Sequence, residues 1–154
     1  MSSQSDWYLN TPLPALLRAA RRTCGSALRA ALAEAGFDDI PRNGIYVIGA
    51  IARNSAPLSQ IISALGVSKQ SAGQVVDTLV LRGYLDRRAD EEDRRRLTVT
   101  LTKRGAAAAA ISRTVVNQIE DELINRIGSK AVTQTRKTLA ALVLIGHDEL
   151  ESTD

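Results

Sequence analysis

One cysteine, one histidine and five aromatic residues are the whole supply of thiol, imidazole and stacking side chains in 154 positions. With a single thiol, Cys24, no internal disulfide framework can form. Cys24 and His147 lie far apart, whereas a zinc site takes three or four nitrogen and sulfur ligands, so no metal and no cofactor is expected. No glycine-rich phosphate loop is present. No nucleophile and base stand at a spacing that supports catalysis, so the chain reads as a non-enzyme. No apolar run approaches the roughly 20 residues needed to span a bilayer. The start, Met1-Ser2-Ser3-Gln4-Ser5-Asp6, has neither the basic beginning nor the apolar centre of a signal peptide. Together these absences predict a cytoplasmic protein with no membrane partner.

What is present suits one ordinary soluble domain. Hydrophobic residues make up 44% of the chain and charged residues 24%, enough for a real core under a solvated surface. The net charge of +3 is unevenly spread. Residues 43–104 hold ten basic and six acidic residues, while residues 105–154 hold five basic and seven acidic ones. A positive centre flanked by other elements is what a nucleic-acid-binding core would carry.

Apolar spacing of three and four predicts a helix over 12–35, through Leu13, Leu16, Leu17, Ala20, Cys24, Ala27, Leu28, Ala31 and Leu32. Gly36 stops it, and Pro41 is well placed to begin a second helix carrying Ile45, Val47, Ile48, Ile51 and Ala52. Asn54-Ser55-Ala56-Pro57 breaks that helix. Two short helices follow. One spans Ser59 to Leu65 and ends at Gly66. The other runs from Lys69 to Arg82 behind a Ser68 N-cap, with Val75, Val76, Leu79 and Val80 inward and Gly83 as its stop.

The period then changes from helix to strand. Tyr84 to Arg88 is one candidate strand, and Leu97, Val99 and Leu101 alternating with Thr98 and Thr100 make a second. The polar run Ala89 to Arg96 between them is a solvent-facing hairpin tip. Thr102 can cap a long helix from Lys103 to about Ile127, with Ile111, Val115, Ile119 and Leu123 as its apolar stripe. Gly128 breaks the chain, and Ser129 can cap a last helix carrying Val132, Leu139, Leu142, Val143, Ile145 and Leu150. The predicted fold is mainly α with a small β-wing: a winged helix-turn-helix over 41–104, with helical regions 1–40 and 105–154 at its ends.

Two short helices joined by a tight glycine turn place the second helix in a DNA major groove. The residues at its N-terminal end are Ser68, Lys69, Gln70, Ser71, Gly73 and Gln74. Gln pairs bidentately with adenine, Lys donates to guanine, and Ser reaches bases or phosphates. Arg94, Arg95 and Arg96 at the hairpin tip suit the minor groove, whose narrow stretches concentrate negative potential. Neighbouring acids, Asp93 among them, can pair with one arginine and set its direction.

Leu65-Gly66-Val67-Ser68-Lys69-Gln70, Val76-Asp77-Thr78-Leu79, Arg82-Gly83-Tyr84-Leu85, Asp90-Glu91-Glu92-Asp93-Arg94-Arg95 and Leu101-Thr102-Lys103-Arg104-Gly105 resemble the multiple-antibiotic-resistance regulator (MarR) family. The resemblance is strong over residues 58–105, and elsewhere it is one of helix order and length. It implies a homodimeric regulator of pseudo-palindromic double-stranded operators, often a repressor released by a small ligand. By that resemblance Ser68, Lys69, Gln70, Ser71 and Gln74 contact DNA, Asp93 orients an arginine, and Arg94 and Arg95 are wing contacts with Arg96 as an additional cation. It also implies a dimer interface built from the first and last two helices. The apolar residues Leu13, Leu16, Leu17, Leu139, Leu142, Val143 and Ile145 independently permit one. A phenolic or aromatic effector would, by the same resemblance, lie near Arg18, Arg22, Arg42 and Tyr46.

Two alternatives stand beside a ligand-released repressor. One is an architectural DNA-binding protein with no specific operator. The other is a redox-responsive repressor using Cys24, although that residue sits well inside the first helix on its apolar face. An enzyme or interaction module reusing the winged fold is a further class, disfavoured by the lack of a catalytic cluster.

Overall fold

The computed structural model describes residues 6–53, 68–89 and 97–151. In chain order these form helices α1 (Leu13–Glu34), α2 (Gly44–Arg53) and α3 (Lys69–Leu81), strands β1 (Leu85–Ala89) and β2 (Leu97–Leu101), and helices α4 (Lys103–Ile127) and α5 (Ser129–Glu151). The mainly helical fold with a small antiparallel β-wing is as the sequence predicts. The expected helix Ser59–Leu65, its turn at Gly66 and Val67, the break at Asn54–Pro57 and residues 90–96 of the expected hairpin tip lie outside the described residues, while Ala89, expected in that tip, ends β1. Contacts divide the chain into two units, Met1–Val116 and Asn117–Asp154.

The core of the first unit is built from one face of each element. Helix α1 contributes Leu28 and Leu32, α2 contributes Ile45, Val47 and Ile48, α3 contributes Ala72, Val76 and Leu79, and α4 contributes Ala108 and Ala109. Burying one large aliphatic side chain of this kind contributes about 1.5–3 kcal/mol. Helix α2 begins at Gly44 rather than at Pro41. The Pro41 carbonyl instead accepts from the Gly44 amide at 2.7 Å, closing a turn ahead of the helix.

Helix α3 has the start and stop that its sequence announces. Ser68 has extended backbone and its hydroxyl oxygen accepts from the Ser71 amide at 3.1 Å, so it satisfies one of the amides that a helix leaves without an internal partner. At the other end Gly83 adopts φ +74°, a left-handed conformation that glycine takes without steric cost. Tyr84 then falls ahead of β1 rather than within it, and it is fully buried.

The two strands pair with Leu85 opposite Leu101, Arg87 opposite Val99 and Ala89 opposite Leu97. Side chains alternate across a strand, so Arg87 shares a face with the apolar residues Leu85, Val99 and Leu101. Its guanidinium is paired with the Asp77 carboxylate on α3. Both side chains stay solvent-exposed, so this is a surface ion pair.

Helix α4 starts where Thr102 accepts from the Gly105 amide at 3.0 Å. Its inward face is not the expected stripe. Gly105, Ala108, Ala109, Ser112 and Val115 are buried, Ile111 and Ile119 are half-buried, and Leu123 is exposed. Small residues win because the helix lies against backbone: a Cβ at Gly105 would collide with the Tyr84 carbonyl oxygen. The buried Ser112 hydroxyl is satisfied by donating to the Ala108 carbonyl at 2.8 Å.

In the second unit Gly128 separates the end of α4 from α5, and Ser129 is the first helical residue of α5 rather than its cap. Arg136 pairs with Glu120 at 2.6 Å, and Arg126 with Glu122 at 2.6 Å. Val132 is buried, whereas Leu139, Leu142, Val143, Leu144 and Ile145 stay exposed in the single chain.

The Gly105 contact gives a direct test. Gly105→Ala should destabilise the protein by about 1–3 kcal/mol, the usual cost of overpacking, although alanine is the better helix former. Urea denaturation measures it, and equal or greater stability in the variant would contradict the close approach.

Candidate nucleic-acid interface

The three buried residues of α3, Ala72, Val76 and Leu79, follow helical spacing and commit one face to the core. Ser68, Lys69, Gln70, Ser71 and Gln74, at and near the N-terminal end, are all exposed, and of these Gln70 and Gln74 lie on the face opposite the core. The sequence-predicted recognition residues are thus gathered on one solvent-facing surface. No acidic residue lies in the first turn, so no side chain there opposes the positive end of the helix dipole.

These residues are not equivalent. The Ser68 oxygen is occupied in capping, and its hydroxyl donates to the Ser71 oxygen at 2.9 Å. Ser68 therefore holds the helix start. Lys69, Gln70 and Gln74 carry the longer groups able to reach base edges. Arg94, Arg95, Arg96 and Asp93 lie outside the described residues. The strands that lead to them are described: β1 is tied to α3 through Arg87 and Asp77, and Arg88 on its outer face pairs with Asp86 at 3.3 Å.

Behind this surface lies a cluster that sequence reasoning missed. The Tyr84 hydroxyl donates to the Asp39 carboxylate, and Arg104 donates to both at 3.0 Å. Arg82, at the C-terminal end of α3, donates to the Asp39 carbonyl. The Arg104 guanidinium also lies 4.6 Å from the Tyr84 ring centre and 5.8 Å from that of Phe37, within cation–π range. The link after α1, the end of α3 and the start of α4 thus meet at one buried phenol. Tyr84 and Arg104 stand inside the motifs that carry the family resemblance, but the connection to Asp39 spans 45 residues and no local pattern reports it.

The cluster shifts three ionisations, Arg104 being raised chiefly by its hydrogen bond to Tyr84. The Tyr84 hydrogen bond, aided by Arg104, holds the Asp39 carboxyl below the usual carboxylate range. Burial first, and then Asp39, pushes the Tyr84 phenol above its ordinary value.

An open cleft of about 1020 Å³ lies between α1 and the 40–46 segment. Arg18, Arg22, Arg42 and Tyr46, the residues expected near an effector, all line it, together with Arg21 and Arg29, which sequence reading did not single out. Arg18, Arg22 and Arg29 follow i, i+4, i+11 spacing, which places them on one helix face and could have revealed Arg29. Gly25 lies on the same face and forms part of the floor. An adjoining recess of about 270 Å³ includes Leu32, Phe37 and Ile45 together with Arg29, Asp38 and Arg42. Cys24 is half-buried on α1. Among the described residues, no three metal-capable side chains gather.

The acid-base consequences of the cluster can be measured. A carboxyl whose pKa is lower folded than unfolded contributes stability above about pH 4, and that contribution is lost as pH falls through the folded value. A phenol whose pKa is raised contributes below about pH 10 and loses that contribution at higher pH. Asp39→Asn should therefore be less stable than the parent at pH 7, with the gap narrowing below about pH 4. Denaturation at both pH values tests this, and a gap unchanged in acid would contradict the assignment.

Comparison with known proteins places these features in context. Residues 38–96 match a family model described as "MarR family". The chain is similar in structure to the reduced form of MarR from Escherichia coli, with a TM-score of 0.66 and 23% identity, covering 86% of this chain and 96% of that one. It is similar to Streptococcus pneumoniae FabT in complex with DNA, with a TM-score of 0.72 and 20% identity, covering 88% and 96%. It is similar also to the transcriptional repressor CouR bound to a 23-mer DNA duplex, with a TM-score of 0.67 and 21% identity, covering 86% and 92%. No curated protein matches the chain.

Proposed function

Because the chain carries a MarR-family domain over residues 38–96 within the fold of winged-helix transcriptional regulators, we propose that it is a homodimeric, sequence-specific repressor. The observation that carries this reading is the two-faced α3. Its apolar side is committed to the core, and its exposed side offers Lys69, Gln70, Ser71 and Gln74 with no acid in the first turn. A purely architectural protein needs cations for phosphates but has no use for two glutamines aimed outward. The DNA complexes of FabT and CouR support the same reading.

In this proposal residues 41–104 read DNA. Lys69, Gln70 and Gln74 meet base edges in the major groove, Ser71 meets base or phosphate, and Ser68 caps the helix beside the backbone. Arg94, Arg95 and Arg96 supply the wing contact, with Asp93 orienting one of them. Residues 1–40 and 105–154 pair two chains. The support for pairing is the apolar surface that each unit exposes on its own: Trp7, Leu9 and Leu13 in the first, and Leu139, Leu142, Val143, Leu144 and Ile145 in the second. Two copies set recognition helices about 34–36 Å apart, one turn of DNA, and so read an inverted repeat. A bound dimer represses by covering promoter sequence. An effector in the arginine-lined cleft releases it, through the Asp39 cluster that joins the cleft's 40–42 wall to the end of α3. The setting proposed is the cytoplasm.

Selection from random duplexes tests the proposal. The enriched sequence should be an inverted repeat with half-site centres about 10 base pairs apart or a multiple of that spacing. On that duplex Gln70→Ala should cost roughly 1–3 kcal/mol, with little loss on random DNA. Arg95→Ala should weaken binding to both and flatten the salt dependence. Recovery of no common sequence, or an equal Gln70→Ala loss on both duplexes, would overturn specific readout.

A further inference from the structure

The cleft holds five arginines, Arg18, Arg21, Arg22, Arg29 and Arg42, and the one acid nearby, Asp38, lines the adjoining recess rather than the cleft. Sites for small organic ligands are usually apolar with a few placed polar groups. Here cations dominate the wall. Arg18, Arg21, Arg22 and Arg29 also sit three, four and seven residues apart along α1, where like charges repel and cost a helix about 0.2–0.5 kcal/mol per close pair. Among the described residues, none of the five pairs with a carboxylate, whereas five of the eight other described arginines do. The partners they have are neutral: Arg21 lies 5.1 Å from the Tyr46 ring centre, and Arg29 donates to the Ser26 hydroxyl at 3.3 Å. These contacts position guanidinium groups without neutralising them.

We propose that this cleft binds a small polyanion, one with two or more phosphate or carboxylate groups close together, and that this polyanion is the effector class of the regulator. The inference rests on the repressor reading above and replaces a singly charged aromatic acid as the expected ligand. One carboxylate can form a two-pronged bond with one guanidinium and would leave the others unmatched, whereas clustered phosphates or carboxylates engage several forks at once. Arg18 and Arg22 approach the ligand from α1 and Arg42 from the facing turn, so a multiply charged ligand bridges the two walls. Arg42 lies three residues beyond Asp39, which is bonded to Arg82 and Tyr84 at the end of the recognition helix.

Calorimetric titration of the full chain with inorganic pyrophosphate, citrate and salicylate, at matched ionic strength, tests this. At least one polyanion should bind at least about tenfold more tightly than salicylate, because charge-assisted guanidinium bonds multiply with ligand charge. Tight pyrophosphate with weak citrate identifies phosphate as the preferred group, and the reverse identifies carboxylate; either outcome supports the proposal. The double variant Arg18→Ala, Arg22→Ala should lose that affinity by about tenfold or more, while Lys69→Ala, on the DNA-reading surface, should keep it. Both arginines are exposed, and a thermal melt checks that the double variant stays folded. The proposal is overturned if neither polyanion binds, if salicylate binds as tightly, or if Lys69→Ala rather than the arginine pair removes binding. Duplex affinity measured on the same samples separates this from failure of the repressor reading, because intact sequence-specific binding without polyanion binding sinks the effector class alone.

Discussion

The arrangement of α3, β1 and α4 depends on a buried tyrosine whose every polar atom is occupied. Tyr84 follows directly on the stop of α3, and its amide bonds back to the Leu79 carbonyl at 2.9 Å. Its carbonyl is pressed by Gly105 at the start of α4, and its hydroxyl is shared by Asp39 and Arg104. Burying a phenol without a partner would cost far more than its hydrogen bonds contribute net, so the residues that meet it are held in place by the need to satisfy it. Helix α3 is thereby fixed at its far end by Tyr84 and Arg82, at its near end by Ser68, and along its side by the Asp77–Arg87 pair. What is left exposed is the strip that the proposal assigns to DNA.

The same connections bear on regulation. The link between α1 and α2 has two faces: Ile40 and Arg42 line the arginine cleft, while Asp39 belongs to the Tyr84 cluster. A ligand that binds differently to two arrangements of this link would shift α3 without touching it. Such a shift can be no larger than that difference in affinity.

Local chemistry made much of the fold legible in the sequence. Serine and threonine caps, glycine stops and the alternation of Leu97, Val99 and Leu101 each act within a few residues, and α3, β2 and the start of α4 appear where those signals put them. Pairings across long separations were not legible. Nothing near Arg87 says that Asp77 will neutralise it, and nothing near Asp39 announces Tyr84. The start of the inner face of α4 was not legible for a related reason: the close approach of Tyr84 backbone, far away in sequence, leaves room only for glycine at position 105. Of the candidate site, the outward face of α3 could be read from periodicity. The cleft was approached through Arg18, Arg22, Arg42 and Tyr46, but its full charge emerged only when Arg21 and Arg29 were seen to line the same space.

Sequence-specific DNA binding is the claim on which the regulatory reading stands, and fluorescence anisotropy tests it most directly. The protein is titrated onto the intergenic DNA upstream of its own gene and onto a scrambled duplex of equal length, each at two salt concentrations. The account predicts tighter binding to the upstream fragment at both salts, with the preference surviving as the shared phosphate contribution weakens. Equal affinity for the two duplexes, falling steeply and in parallel with salt, would contradict it.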